Sequence, residues 1–188
     1  MFVSSAIIFW STDYCLKVLK GDKDNVFIVF IVVSISGPLL GIIIGGLIVQ
    51  KFAGGYEGKN ALLYCFVFSI CAFACTIPTR FADNIYAFGA ILWGTMFFGG
   101  AVIPNLQGAM ISSLRKQLRA PGNSISNIFQ CLLGFLPAPF VYGIIYEHTE
   151  NYDNKIAMNV ILSYSIVGVI FIFVSMMLNY KMLKYSKN

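Results

Sequence analysis

One acid in the chain stands inside an apolar run: Asp13, in the segment Phe9-Trp10-Ser11-Thr12-Asp13-Tyr14. A carboxylate among apolar residues is expensive unless it is paired or faces water, so it has two readings. In one it faces a cavity and binds a cation, a proton or a polar group of a substrate. In the other it marks the outer interface, with Lys17 one helical turn later as its partner. Four amides sit in later apolar runs: Asn105 and Gln107, then Asn127 and Gln130. They can hydrogen-bond a substrate or hold neighbouring helices together. Trp10, Tyr14 and Trp93 can stack on a substrate or act as interfacial anchors. Asn123 and Ser124, just after Pro121-Gly122, read as a helix N-cap.

Bond-making chemistry finds little to work with. His148 is the one histidine, which excludes a multi-His metal site and a His-based triad in this sequence. No GxxxxGK[ST] loop is present, so ATP does not act on the chain directly. Cys15, Cys65, Cys71, Cys75 and Cys131 contain no CxxC pair and read as small apolar residues. The expectation is no enzyme, no metal and no cofactor.

The elements that must position these residues are membrane helices. Of 188 residues, 58% are hydrophobic and 11% charged, where a soluble domain carries about a quarter charged. Mean hydropathy is +0.78. A chain of this length cannot hide so much apolar surface from water, so lipid is its solvent. The net charge of +5 does not indicate nucleic acid, because the cations fall in short clusters between apolar runs rather than in one patch. A crossing needs about 20 mostly apolar residues. The runs predict six spans at about 2–19, 26–49, 61–78, 85–110, 123–146 and 156–180. Short polar loops join them, and no linker marks a second domain. The ten-residue alternation of a membrane barrel is absent. The predicted fold is therefore an all-α membrane protein, a six-helix transmembrane bundle.

Charge sets the orientation. If the first run enters from the cytoplasm, that side holds Lys51, Lys59, Arg115, Lys116, Arg119, Lys181, Lys184 and Lys187 against Glu57 alone. The other side holds Lys17, Lys20, Lys23, Arg80 and Lys155 against seven acids. Both termini are therefore expected in the cytoplasm. Met1 is followed at once by apolar residues, with no basic signal-peptide start and no cytoplasmic flank for the first span. The expectation is that sequence upstream is missing.

Packing signals fall in three of the runs. Gly37, Gly41 and Gly45 repeat every four residues in the second, followed by Gly46, with Pro38 beside them. Small residues at this spacing let helices approach closely in lipid. The fourth run carries Gly89, Gly94, Gly99, Gly100 and Pro104, and the fifth Gly134, Pro137, Pro139 and Gly143. Helices so rich in Gly and Pro are bent or close-packed.

The segment Gly45-Gly46-Leu-Ile-Val-Gln50-Lys51-Phe-Ala-Gly-Gly-Tyr-Glu-Gly58-Lys59 closes one span and opens a basic loop. It resembles the loop signature of the major facilitator superfamily, with Gln50 where the family has an acid and a stretched spacing to Gly58. The Pro-rich fifth run, from Asn123 to Gly143, is similar to the eleventh helix of spinster-like and organic-anion carriers. The Phe9–Tyr14 segment resembles the end of the spinster-type seventh helix. The resemblance implies half of a major facilitator fold, helices seven to twelve, with a missing N-terminal half or a second copy as partner. It also implies a small-molecule substrate, lipid-like or an organic anion.

An internal echo fits the inverted repeat of such carriers: Ala6-Ile-Ile-Phe-Trp10-Ser-Thr12 is answered by Ala90-Ile-Leu-Trp93-Gly-Thr95. The functional expectation is a secondary transporter working by alternating access. The alternative is a non-transporting membrane scaffold or assembly module that uses its glycine faces to bind other helices.

Overall fold

The computed structural model describes residues 1–55, 60–149 and 155–185, with side chains described for all of these except 149 and 180–185. Within them there is no strand. Eight helices follow in order: α1 Phe2–Lys17, α2 Lys23–Phe52, α3 Ala61–Thr76, α4 Ile85–Ser113, α5 Arg119–Gln130, α6 Pro137–Thr149, α7 Ile156–Ser163 and α8 Ser165–Tyr185. A 3₁₀ turn, Ile77–Phe81, prolongs α3. A π-helical segment, Cys131–Phe135, joins α5 to α6.

Five helical stretches are long and apolar enough to cross a membrane: Lys23–Phe52, Ala61–Phe81, Ile85–Ser113, Lys116–His148 and Ile156–Asn179. The protein is thus an all-helical, multi-pass membrane protein. The first apolar run gives only the 16 residues of α1. At 1.5 Å per residue it reaches about 24 Å, short of a hydrocarbon core of about 30 Å. A sixth crossing therefore rests on α1 alone.

The outward surfaces are apolar. Ile28, Ile35, Leu39 and Leu47 of α2 and Leu132, Leu133 and Phe140 beside the π segment are all exposed. In water such surface would drive aggregation, whereas lipid solvates it. α4 is the most covered of the five stretches, with 44% of its most apolar window buried. It therefore sits at the centre.

α2 packs on α4 through backbone rather than side chains. Gly37 lies against Met96 and the Trp93 carbonyl, Gly41 against the Phe97 carbonyl, and Gly45 against Ala101. In return Gly100 of α4 meets the Pro38 carbonyl. Residue numbers rise together along the contact, so the two helices run parallel. Gly46 points elsewhere, with nothing near the place its Cβ would take, so it is no part of the packing stripe. Gly54 and Gly55 adopt left-handed backbone and stop α2 where a side chain would be strained.

α1 packs parallel to the fifth stretch. Gly134 lies against Met1, and Gly143 is nearest Trp10. The shared core joins α1, α2, α4, α6 and α7 through Ile7, Tyr14, Val33, Phe88, Tyr142 and Met158. A smaller cluster of Val49, Ala53, Ala61, Phe68 and Ala101 ties α2, α3 and α4 together at the other end.

Two prolines explain the break in the fifth stretch. Pro137 and Pro139 have no N–H to give the carbonyls of Leu133 and Phe135, and their rings press on that turn. The helix widens instead, and Leu136 N–H donates five residues back to the Cys131 carbonyl at 3.0 Å. The expected bend is therefore a π turn, and the helix leading to it begins at Arg119, earlier than position 123.

Candidate functional site

The residues singled out by type fall into separate groups. The first lies between α1 and α6. The Trp10 indole N–H donates to the Pro139 carbonyl at 3.1 Å. Its ring stacks on Tyr142 with centroids 4.8 Å apart, and Tyr142 stacks in turn on Tyr146. Tyr14 is buried and packs on Phe88 of α4 at 4.9 Å. The Asp13 carboxylate pairs with Lys17 at 3.1 Å, and its side chain is 33% exposed. The i,i+4 partner expected for an interfacial acid is present, and about a third of the side chain stays accessible.

α1 also carries a contact that residue type did not flag. Ser5 Oγ donates to the Phe135 carbonyl at 2.9 Å. That carbonyl is the one Pro139 leaves without its usual helical donor, so a neighbouring helix supplies the missing hydrogen bond. The prolines foretell that a carbonyl is released. They do not tell which helix answers it.

The second group joins α4 to α5. Gln107 Nε2 donates to Asn123 Oδ1 at 2.7 Å and to Asn127 Oδ1 at 3.1 Å. Asn123 is therefore no N-cap: it lies within α5 and faces α4, and Leu118 occupies the cap position. Ser124 is inside the same helix, its hydroxyl donating back to the Ala120 carbonyl at 3.3 Å. Gln130 stays apart, its amide 3.4 Å from Ser126 Oγ one turn back. Asn105 is fully buried, its Nδ2 donating to the Ala101 carbonyl at 2.6 Å. Its amide oxygen has no hydrogen-bond partner among the described residues.

Trp93 forms a third point. Its indole N–H donates to Ser36 Oγ of α2 at 2.9 Å, and its ring stacks on Phe97 at 5.3 Å. Trp10 and Trp93, the two tryptophans of the internal echo, thus do the same thing. Each fastens its helix to the parallel neighbour, near a proline of that neighbour.

These groups do not share one cavity. A shallow crevice between α1, α2 and α4 is lined by Ser11, Thr12, Cys15, Val29, Phe88 and Gly89, and no candidate residue enters it. Of the loop motif, Gln50 and Lys51 form the last turns of α2, and Lys51 stands 5.8 Å over the Phe52 ring. Gly58 and Lys59 lie outside the described residues. At the opposite end Lys155, before α7, is ion-paired with Asp83, before α4. Among the described residues no three of His, Cys, Asp and Glu gather to hold a metal. The chemistry on offer is hydrogen bonding, aromatic stacking and one carboxylate. Comparison with protein-family models, curated proteins and solved structures finds no match to this chain.

Proposed function

We propose that this protein is a secondary transporter of a small solute, of major facilitator type, working by alternating access. In this reading the chain supplies one six-helix half, with both termini in the cytoplasm, and pairs with a second such half.

The observation that carries the reading is a reciprocal pairing of helices. The first helix of each sequence triplet packs parallel to the middle helix of the other: α4 on α2, and α1 on α6. The two pairs run in opposite directions, because α1 and α2 form a hairpin. Trp93 and Trp10 fasten the two pairs at matching places. This exchange is what an inverted repeat produces, and carriers built this way hold their substrate between the repeats beside interrupted helices. The π turn supplies such an interruption.

The scaffold alternative loses its main support. The glycine stripe offered to outside helices is consumed within the bundle, since Gly37, Gly41 and Gly45 all face α4. Asp13 is the residue assigned to contact the substrate, with Trp10 and Tyr14 shaping its surroundings and the amides of Gln107 and Asn127 at the far end of the pathway.

The test is uptake by proteoliposomes holding the full-length protein, offered labelled organic anions and lysophospholipids. Uptake above protein-free liposomes that falls at least tenfold with Asp13→Asn supports the reading. Tight vesicles with correctly inserted protein and no uptake of any of them would count against it.

A further inference from the structure

At the end of the bundle where α2 and α4 finish, the charge is of one sign. Lys51 closes α2, and Arg115, Lys116 and Arg119 form the connection from α4 into α5. No Asp or Glu stands there among the described residues. The opposite end is balanced: Lys17, Lys20, Lys23, Arg80 and Lys155 face Asp13, Asp22, Asp24, Asp83 and Glu147. Arg115, Lys116 and Lys51 are exposed, and the Arg119 guanidinium donates to the Leu114 carbonyl at 3.3 Å, holding the connection against the end of α4.

An apolar stripe runs from this basic connection into the membrane. Leu118, Ile125, Phe129 and Leu132 are each more than half exposed. Their spacing of seven, four and three residues places them on one face of a helix. At 1.5 Å per residue the stripe is about 21 Å long, enough to follow an acyl chain through one leaflet. The opposite side of α5 carries Asn123 and Asn127 and is occupied by Gln107. The α5 segment therefore presents cations at the surface and apolar side chains directly below them.

We propose that this segment binds an anionic phospholipid, its phosphate held by Arg115 and Lys116 with Lys51 adding positive charge at the same end, and one acyl chain lying along Leu118, Ile125 and Phe129. The match is one of charge and shape: a headgroup anion above, a hydrocarbon chain beneath. The site does not depend on the transport reading, because it needs only that this end meets a lipid headgroup layer.

The test is lipid retention by the full-length protein in detergent, counted by native mass spectrometry during titration with dioleoylphosphatidylglycerol or dioleoylphosphatidylcholine. The wild type should keep phosphatidylglycerol in preference. Arg115→Gln with Lys116→Gln should weaken that retention on the order of thirtyfold, at about a fivefold loss per charge. Lys20→Gln with Lys23→Gln, at the balanced end, should leave it unchanged. If the double variant fails to fold, the wild type still decides: retention should drop in 0.5 M salt through screening of the headgroup contact. Equal retention of the two lipids, loss of binding to inorganic phosphate at millimolar concentration, or salt-insensitive retention would overturn the proposal. A photo-crosslinker at position 129 should capture lipid; capture of another protein helix would overturn it too.

Discussion

Replacing Gly41 by Ala tests the central contact of the bundle. A Cβ there would overlap the Phe97 carbonyl oxygen and stand 2.8 Å from its carbon and 3.2 Å from the Ala101 nitrogen. These are backbone atoms, so no rotamer change relieves the clash. Carbon contacts are most favourable at about 3.5–4.0 Å, so relieving the Phe97 carbon alone requires α2 and α4 to part by roughly 0.7–1.2 Å, and the overlapped oxygen requires more. A gap of that size forfeits about a quarter to a half of the dispersion attraction across it. Overpacking of this kind typically costs about 1–3 kcal/mol. Against this, Ala is a better helix residue than Gly by about 0.5–1 kcal/mol. The clash wins, and the net destabilisation is about 1–2 kcal/mol. Gly46→Ala is the internal control: nothing lies within 4 Å, so only the helix gain remains and stability rises by up to about 1 kcal/mol. The assay is unfolding in mixed micelles with increasing dodecyl sulfate, followed by far-ultraviolet circular dichroism. Opposite signs for the two substitutions are expected. If Gly41→Ala is as benign as Gly46→Ala, the helices do not touch by backbone and the reasoning fails.

Two further outcomes follow from hydrogen bonds. Ser5→Ala should destabilise by about 0.6–1.7 kcal/mol, the range for interhelical polar contacts in membranes, because the Phe135 carbonyl loses its donor. In a Pro139→Ala background residue 139 regains an N–H for that carbonyl, so the Ser5→Ala effect should shrink; equal effects in both backgrounds would refute the compensation. Asp83→Asn should matter little, by less than about 1 kcal/mol in the same unfolding assay, because Asp83 is 85% exposed and its pair with Lys155 is screened. A larger loss would mean that this pair organises the end of the bundle rather than decorating it.

Much of the fold was legible in the sequence because lipid imposes a simple rule on composition. Five apolar runs became helices long enough to cross, with ends extended into polar residues such as Lys23 and Lys51 of α2. The first run is less secure, since α1 stops at Lys17 after 16 residues. The glycine stripe announced a close approach, yet spacing alone cannot name the partner; that α4 answers it, and that Gly46 does not join, emerges only from the packed bundle. Asn123 shows the limit on the site side. After Pro-Gly an Asn has the local chemistry of a cap, but α5 begins four residues earlier and Asn123 serves Gln107 instead. Amides that hold helices together and amides that hold a ligand have the same composition. The candidates accordingly resolved into two tryptophan fastenings, an amide bridge and an acid paired with a lysine, rather than one pocket.

The meshing of α2 with α4 has a mechanical consequence. Where backbone sits against backbone, small sliding steps drive carbonyls into one another, so the next comfortable register is a full turn away, about 5.4 Å. The two helices therefore behave as one stiff plank. The fifth stretch is the opposite: its prolines remove two backbone bonds, and a π turn widens the spiral between Gln130 and Pro137. Bending under load concentrates at that weak link, between the α5 segment held by its amide bridge and the α6 segment held by Trp10. If the bundle changes shape, the plank travels whole and the strap flexes at Cys131–Phe135.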